Sequence, residues 1–437
     1  MIHSDRKVIG EALRKVRKQN GWSIENVAKM METLSSATLS NIERGIPSVT
    51  EKYIQEYCTF LKIPFKKLPS IIQEENTQKK SIQRKLLRIE KLTDIIDPEK
   101  VYKELKSIPV PTNNHLKVLY LHLEGRCLYY KRNYEKARKR FNQAIVLLNK
   151  YPELEYTNIR SACFVELGRI AFFYQNDLEQ ALHYSDLGLK AFQEDGLRSF
   201  IKLSLLSGKA SYLEKMHQDE EALLTVEKLL KEKDNWHKSL DSLLNAIEIK
   251  AILCSKKGYH LEALNYAEEG IELARLNKHY SRAVELLTAM GDICFSKKDY
   301  GEAEDWYSSA LPLEKKIKQK YFFVTTYTRL GKLYMTLSDW DKAKEHLIKA
   351  VDLGKKNDDG IRYYTSLVTL GDFYIKTQEP ESAIIFLEKA KSLSENNNFP
   401  FTDPELYLKL SHCYEEVDSS RSKNYLAKYK VSKLEFN

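Results

Sequence analysis

A small residue recurs at a nearly constant interval through most of this 437-residue chain. The successive intervals are 43, 40, 43, 40, 40, 40 and 40 residues, and the positions are Gly125, Gly168, Gly208, Ala251, Gly291, Gly331, Gly371 and Ser411. A fixed period of this length is typical of repeat proteins, in which each repeat packs against its two neighbours. We therefore predict a solenoid of one repeated motif over residues 95–437.

Two further small residues follow in most repeats, about 12 and 19 positions after the first. They are Ala137 and Ala144, Ala263 and Gly270, Ala303 and Ala310, Ala343 and Ala350, and Ala383 and Ala390. Because small residues allow two antiparallel helices to cross closely, each repeat is predicted to be a helical hairpin. We expect the residue between each pair to fill the space between successive hairpins, at Phe141, Ala267, Tyr307, Leu347 and Leu387.

The composition favours an all-α fold. The repeats correspond to about eight hairpins, the last of which is expected to cap the array. With 16 Gly and 11 Pro, the chain has few residues that break helices. Its 6 cysteines are scattered without a C-x-x-C pair, which argues against disulfides and zinc. The sequence contains no phosphate-binding glycine-rich loop, H-E-x-x-H or G-x-S-x-G motif. We expect no enzymatic activity, no cofactor and no metal.

The N-terminus indicates a cytoplasmic protein. Residues 1–7 lead into a charged amphipathic segment, whereas a signal peptide has an apolar core. No stretch approaches the roughly 18 apolar residues of a membrane span. We therefore expect no membrane partner.

Positive charge is concentrated at the start of the chain. Residues 1–69 contain 12 Lys or Arg and 7 Asp or Glu, a net charge of +5, and the remaining 368 residues carry +4 of the total of +9. A small basic domain on a nearly balanced body suggests that an anionic partner such as DNA meets the basic domain. On charge alone, a solvated lysine-rich surface explains the same numbers.

Turn and capping residues divide residues 1–69 into five short helices. The signals are, in chain order, an apolar stripe from Val8 to Val16, a stop at Asn20-Gly21, N-caps at Ser23 and at Ser35 or Ser36, a stop at Gly45, and apolar stripes at 53–61 and 64–68. Three of these segments, Ile9–Arg17, Gly21–Ala28 and Leu39–Gly45, together resemble the phage-repressor or XRE type of helix-turn-helix. The phrase LSNIERG in the last segment is the most specific part of that resemblance.

The resemblance implies that the helix Ser36–Arg44 enters the major groove of DNA. It places at the base edges Ser36, Ala37, Thr38 and Asn41. It places at the phosphates Ser23, Lys29, Ser40 and Arg44. Ser23 has the alternative role of an N-cap alone, and Arg17 and Glu43 match a buried structural ion pair of this family.

The repeats resemble tetratricopeptide repeats. In Met290–Ala310 and Leu330–Ala350 the small and alanine positions of that motif match, and Leu330–Ala350 also has its aromatic residue at Tyr334. The period is 40 residues in place of the usual 34. The resemblance implies a right-handed solenoid whose concave face binds extended peptides. Counting along the first helix of each repeat gives the candidate peptide-binding residues Arg126, Tyr129, Arg169, Lys209, Tyr212, Asn245, Glu285 and Asp292.

The concave face is predicted to be basic in the early repeats and more acidic in the later ones. A peptide carboxylate would then lie towards Arg126, Arg169 and Lys209, and its amine towards Glu285 or Asp292. We expect Asn245 to bond the peptide backbone. For each single residue, the alternative is an ordinary solvated side chain.

A repressor-type domain followed by tetratricopeptide repeats resembles the peptide-pheromone receptors of Gram-positive bacteria, the Rap, Rgg, NprR, PlcR and PrgX group. The resemblance implies a quorum-sensing type of transcription regulator that binds a double-stranded DNA operator as a homodimer or higher homo-oligomer. A short oligopeptide in the concave body would change the geometry of that oligomer. We expect residues 70–94 to form a partly helical linker, or alternatively a flexible tether, and residues 407–429 are candidates for the dimer contact.

Two other functions remain open at this point. The first is a tetratricopeptide scaffold, including relatives that inhibit or dephosphorylate a response regulator. The second is a peptide-independent phage or plasmid repressor, whose repeats serve only for assembly. A helix that reads bases distinguishes the regulator from the scaffold. If mutation of the charged residues on the inner face has no effect, the plain repressor is favoured.

Overall fold

Helices account for the regular structure of the described residues, as the scarcity of helix breakers predicts. The computed structural model describes residues 6–65, 68–232, 239–356, 360–396 and 404–435. These ranges contain no β-strand. The chain divides into two units, Met1–Val110 and Pro111–Asn437. No helix in the described ranges combines the length and the apolar composition that crossing a bilayer requires.

The described part of the first unit contains six helices. They are α1 (Arg6–Gln19), α2 (Ile24–Met31), α3 (Ser36–Glu43), α4 (Glu51–Phe60), α5 (Leu68–Leu92) and α6 (Pro98–Ser107).

The turn and capping residues predicted from the sequence lie at ends of α1, α2 and α3. Gly21 has a φ of 73°, which stops α1, and the Ser23 hydroxyl accepts a hydrogen bond from the backbone N–H of Asn26 at the start of α2. At Gly45, φ is 70° and an added Cβ would lie 2.5 Å from the Cα of Lys7. Glycine at this position therefore satisfies both the left-handed backbone and the close approach of α1.

Helix α5 is longer than the sequence analysis predicts. It runs from Leu68 to Leu92 through most of the expected linker over 70–94. Of the expected fifth helix over 64–68 it contains only Leu68, and residues 66–67 lie outside the described residues. Its second half packs against α6 through the fully buried Leu86, Ile89 and Leu105. Because this packing joins α6 to α5, the division between the two units falls at 110/111 and not at the predicted 94/95.

The second unit is an array of eight helical hairpins within the described residues. In each hairpin the first helix is the inner one. The pairs are α7 (Asn114–Tyr130) with α8 (Tyr134–Lys150), α9 (Ile159–Ile170) with α10 (Leu178–Ala191), α11 (Phe200–Lys215) with α12 (Asp219–Lys231), α13 (Leu240–Lys256) with α14 (His260–Leu276), α15 (Tyr280–Ser296) with α16 (Tyr300–Ala310), α17 (Phe322–Thr336) with α18 (Trp340–Lys356), α19 (Gly360–Lys376) with α20 (Pro380–Asn396), and α21 (Pro404–Tyr414) with α22 (Ser419–Glu435). The predicted solenoid fold is confirmed.

The repeated glycines mark where the two helices of a hairpin touch. A Cβ added to Gly331 would lie 2.4 Å from Leu347, and one added to Gly125 would lie 2.4 Å from Phe141. The same relation joins Gly291 to Tyr307 and Gly371 to Leu387. The bulky residue therefore fills a gap within its own hairpin, and the expectation that it fills the space between hairpins is wrong. It sits 16 positions after the glycine, where the antiparallel helix returns past it.

Gly331→Ala is expected to destabilise the protein by about 1–3 kcal/mol, because Leu347 is fully buried and has no room to retreat. Gly301→Ala, in open space on α16, is the control and should raise stability slightly. Adding Leu347→Ala to Gly331→Ala should cost less than the sum of the two single changes, since the hairpin of Ala251 and Ala267 already has this pairing. Urea unfolding measures all four variants, and additive costs would contradict the proposed contact.

Candidate functional site

Arg17 and Glu43 form an ion pair in the core of the first unit. Arg17 donates from Nε to Oε1 of Glu43 at 2.6 Å and from Nη2 to Oε2 at 2.9 Å. The hydroxyl of Tyr57 donates to the same carboxylate at 2.8 Å, and Arg17 also donates to the carbonyl of Trp22 at 2.6 Å. The hydrogen bond to Glu43 raises the pKa of Arg17. The pair therefore fixes α1 to α3 from the inside, and neither member faces the surface.

Helix α3 presents the start of its first turn to solvent. The hydroxyl of Ser35 caps the helix by accepting from the backbone N–H of Thr38 at 3.1 Å. Leu39 and Ile42 point into the core. Of the predicted base-contacting residues, two are exposed and two are half-buried, respectively Ser36 and Ala37, and Thr38 and Asn41.

Two exposed cations accompany this face. The side chains of Lys29 and Arg44 have no hydrogen-bond or ion-pair partner among the described residues. Ser40 is half-buried, and Ser23 is exposed and caps α2. Exposed polar groups on a short helix, together with free cations, have the chemistry that contact with a duplex requires.

The second unit contains a partly open cavity of about 610 Å³ on its concave side. All seven inner helices from α7 to α19 contribute residues to its wall. This volume lies in the range of about 300–1,000 Å³ that is typical of ligand sites. Six of the eight predicted peptide-contacting residues line it, namely Tyr129, Arg169, Tyr212, Asn245, Glu285 and Asp292.

Arg126 and Lys209 do not line the cavity, contrary to the sequence-based expectation. The Nε of Arg126 lies 3.2 Å from Oε1 of Glu166, and Nζ of Lys209 lies 2.9 Å from Asp186 and 3.1 Å from Glu221. These carboxylates belong to α9, α10 and α12. Local ion pairs therefore hold both cations away from the cavity.

Arg282 is the centre of a charged network in the cavity wall. It donates to Asp241, Asn245 and Glu285, each at 2.9 Å, and lies 3.5 Å from Glu248. Burial opposes its charge, but Glu285 and Asp241 outweigh burial and raise the pKa of Arg282. Burial likewise acts against the charge of Asp241, but Arg282 outweighs it and lowers the pKa of Asp241 to about 2. The salt bridge is therefore fully charged at neutral pH.

The side-chain amide of Asn245 is engaged within the protein. Its nitrogen donates to the hydroxyls of Ser207 at 3.0 Å and Ser211 at 2.9 Å, while its oxygen accepts from Arg282. Both amide hydrogens are therefore used, and a ligand that accepts a hydrogen bond from Asn245 must replace Ser207 or Ser211.

Arginines neutralise the carboxylates of the later repeats. Arg362 donates to Glu285 at 3.0 Å, and its guanidinium lies 5.4 Å from the ring centre of Tyr321. Arg329 lies 2.9 Å from Asp292. The later repeats still line the cavity with four acidic side chains, Asp241, Glu248, Glu285 and Asp292, against three arginines, so these arginines, which the positions counted in the sequence did not include, offset most of the predicted acidity.

The sequence analysis missed the cavity residues Arg282 and Arg362, which the repeat spacing could have identified. Arg282, Phe322 and Arg362 are spaced by 40 residues, and each lies nine positions before the small residue of its repeat. All three line the cavity. The inner surface therefore extends one helical turn further towards the N-terminus of each inner helix than the sequence analysis assumed.

The other end of the cavity is aromatic. Five rings line it, from Tyr129, Tyr130, Phe172, Phe173 and Tyr212. The ring centres of Phe172 and Tyr212 lie 5.2 Å apart. Arg169 joins this group, and the nearby Glu166 carboxylate raises its pKa. This end combines a surface for apolar side chains with one cation.

Glu248 is a buried carboxyl group beside a second carboxylate. Burial and the neighbouring Glu285 raise the pKa of Glu248 to about 8, although Arg282, Lys215 and Arg362 act in the opposite direction. Glu248 therefore holds a proton at neutral pH. In that form it can donate a hydrogen bond into the cavity.

Two histidines on first helices of hairpins, His122 on α7 and His412 on α21, do not line the cavity. His122 is buried, its Nδ1 lies 3.6 Å from Sγ of Cys163, and burial lowers its pKa. His412 is exposed. Within the described residues, no group of three His, Cys, Asp or Glu side chains is placed to hold a metal ion.

Two family models match this chain. Residues 13–68 match a helix-turn-helix family and residues 322–396 match a tetratricopeptide-repeat family. Both are non-catalytic modules. No curated protein matches the sequence.

Solved structures share the fold at low sequence identity. A Rap protein complexed with competence and sporulation factor is 15% identical, with a TM-score of 0.57, and the match covers 82% of this chain and 98% of that one. NprR in complex with its cognate peptide NprX is 19% identical, with a TM-score of 0.57 and coverages of 80% and 99%. The apo form of the quorum sensor NprR from B. thuringiensis is 16% identical, with a TM-score of 0.50 and coverages of 86% and 99%.

Glu248→Gln is expected to change how stability depends on pH. The pKa of Glu248 is near 4.5 when unperturbed and about 8 in the folded protein, so folding takes up a proton between these values. Its contribution to the free energy of unfolding is complete below pH 4.5 and is lost as the pH rises towards 8, by at most about 1.4 kcal/mol per pH unit.

The stability of the wild type should therefore fall between pH 5 and pH 8 relative to the Gln variant. Denaturant unfolding at four pH values measures this difference. Glu268→Gln, an exposed carboxylate on α14, is the control and should show a constant difference. Parallel curves for the wild type and Glu248→Gln would show that Glu248 is ionised when folded.

Proposed function

We propose that this chain, whose two domains and fold are those of the Rap, Rgg, NprR, PlcR and PrgX group, is a cytoplasmic transcription regulator controlled by a short peptide. Its first unit binds an operator in double-stranded DNA through α3. Its second unit binds the peptide in the concave cavity. The protein works as a homodimer or higher homo-oligomer, because two recognition helices are needed to read a two-fold symmetric operator.

The cavity is the observation that supports peptide control. It combines an aromatic end, a charged end and a row of Ser, Thr and Asn side chains on the five inner helices α11, α13, α15, α17 and α19. An extended peptide presents apolar side chains, charged groups and backbone amides in sequence. A partly open cavity of about 610 Å³ lined in this way suits an extended chain better than the surface of a folded protein.

The salt bridge between Arg362 and Glu285 suggests how a peptide acts at a distance. It joins α19 to α15 across the intervening α17, so it links hairpins that are not neighbours. A peptide carboxylate competes for Arg362, and a peptide amine competes for Glu285. When the peptide replaces the salt bridge, a different curvature of the solenoid is favoured. In a dimer, this change of curvature alters the distance between the two DNA-binding units.

Operator binding with and without peptides tests the whole proposal. The DNA is taken from the region upstream of the gene, and the peptides are those encoded by small reading frames beside it, all at one salt concentration. A peptide that changes DNA affinity or oligomeric state supports the proposal. DNA binding that no peptide alters favours a plain repressor with an assembly scaffold, and absence of DNA binding favours a protein-interaction scaffold.

Asn41→Ala is expected to weaken binding to the operator by about 1–3 kcal/mol, because Asn41 can make a bidentate contact with adenine. Binding to a random duplex should not change. Gln55→Ala, an exposed polar residue on α4, is the control. Fluorescence anisotropy with both duplexes measures the effect, and an equal loss on both would place Asn41 at a phosphate.

Arg169→Gln is expected to weaken peptide binding at least tenfold while DNA binding without peptide is preserved, because Arg169 is the cation of the aromatic end of the cavity. Lys209→Gln removes the same charge from the same face at a residue outside the cavity, and should leave peptide binding unchanged. Calorimetric titration of the active peptide measures both variants. Equal losses in the two variants would indicate a general effect of charge.

A further inference from the structure

The outer helices of the second unit differ strongly in charge. Four in succession are acidic, with net charges of −1 in α10, −2 in α12, −3 in α14 and −3 in α16, counting Lys and Arg against Asp and Glu. The first outer helix, α8, has five cations and one anion, a net charge of +4. The solenoid therefore carries a localised positive surface at its first hairpin.

The segment 131–140 concentrates this charge. It contains six Lys or Arg and one Glu, a net charge of +5, whereas residues 111–437 as a whole carry only +2. The other residues of the second unit therefore sum to −3. So steep a local excess is typical of a surface that meets a polyanion.

The structure shows which of these cations face outwards. Lys136 and Lys139 are exposed on α8 and have no acidic partner among the described residues. Lys150 is exposed further along the same helix. By contrast, Arg138 is paired with Glu135 at 2.7 Å. The pairing leaves a row of lysines as the accessible charge of α8.

The same helix buries four apolar side chains inside the hairpin, whereas Val146 is exposed beside the lysines. Ala137, Phe141, Ala144 and Leu148 are fully buried against the inner helix. The exposed side bears Asn142 and Gln143 between the lysines. From Lys136 to Lys150 the helix rises about 21 Å, which matches roughly six phosphate steps along one DNA strand.

Another basic outer helix lacks these features. Helix α22 also carries a net charge of +4. Its Lys428 and Lys433 lie over tyrosine rings, and Arg421 lies over the ring of Tyr414 and is paired with Asp418. Most of its charge is therefore used within the C-terminal hairpin.

We propose that the exposed lysine row of α8, centred on Lys136 and Lys139, is a second DNA-contacting surface that binds phosphates without reading sequence. This inference rests on the proposed DNA-binding function of the first unit. Lysines at phosphates add affinity and contribute to its dependence on salt, but they do not discriminate between bases.

The test uses the full-length protein and the double variant Lys136→Gln/Lys139→Gln. The probes are a fluorescent duplex of about 40 base pairs from the upstream region and a random duplex of the same length, which leave room for two half-sites and their flanks. Affinity is measured over a series of salt concentrations. Loss of two phosphate contacts should reduce the slope of log affinity against log salt by about 1.8.

Two further results are expected. The double variant should lose affinity for both duplexes by the same factor, because phosphates carry no sequence information. The control Lys355→Gln/Lys356→Gln, which removes two exposed charges from the outer helix α18, should keep the wild-type slope. Circular dichroism and gel filtration confirm that the variants are folded and assembled as the wild type is.

Each other outcome overturns the inference. An unchanged slope in the α8 variant shows that these lysines touch no phosphate, and an equal reduction in both double variants shows only a long-range field. If the wild type binds neither duplex, the proposed function itself fails, and this result is distinct from a wild type that binds with an unaltered variant slope.

Discussion

The close contact between the two helices of a hairpin supports the rest of the second unit. Gly125, Gly291, Gly331 and Gly371 each receive a bulky side chain from the returning helix, at a distance that leaves no space for a Cβ. The contact recurs at intervals of 40 residues from Gly291 to Gly371, whereas a Cβ added to Gly168 or Gly208 would make only ordinary contacts at 3.5 Å. The hairpin of Ala251 and Ala267 has two small, fully buried residues at the corresponding positions. Successive hairpins of this kind stack into a solenoid with a concave face.

The repeated geometry brings residues together that are far apart in the chain. Arg282, Glu285 and Arg362 form one connected network although Arg362 lies 77 positions beyond Glu285. This network reaches from α15 to α19, past the hairpin of α17. A change in the curvature of the solenoid would therefore alter the distances within it. The proton on Glu248 reduces repulsion from Glu285 and allows two carboxyl groups to share this space. These residues are therefore where we propose that peptide binding and solenoid shape are coupled.

In the first unit, the ion pair of Arg17 and Glu43 has a comparable role. It joins α1 to α3 and leaves the first turn of α3 free to face solvent. In both units, buried charges are paired and hold helices together, whereas some exposed cations have no acidic partner. These cations are Lys29, Arg44, Lys136 and Lys139, and we expect them to contact phosphates. A double-stranded polyanion is the partner that both exposed sets suit.

The all-α class, the hairpin repeat, the helix caps of the first unit and six of the residues that line the cavity could be predicted from the amino-acid sequence. These follow from local rules: a period shows which positions share a face, and Ser23, Gly21 and Gly45 mark helix ends through their own backbone preferences. The charge of the cavity depends instead on tertiary packing. Arg126 and Lys209 turn to carboxylates on neighbouring helices, while Arg329 and Arg362 turn to Asp292 and Glu285. A long cation reaches several partners, and the packing of helices from distant parts of the chain selects among them.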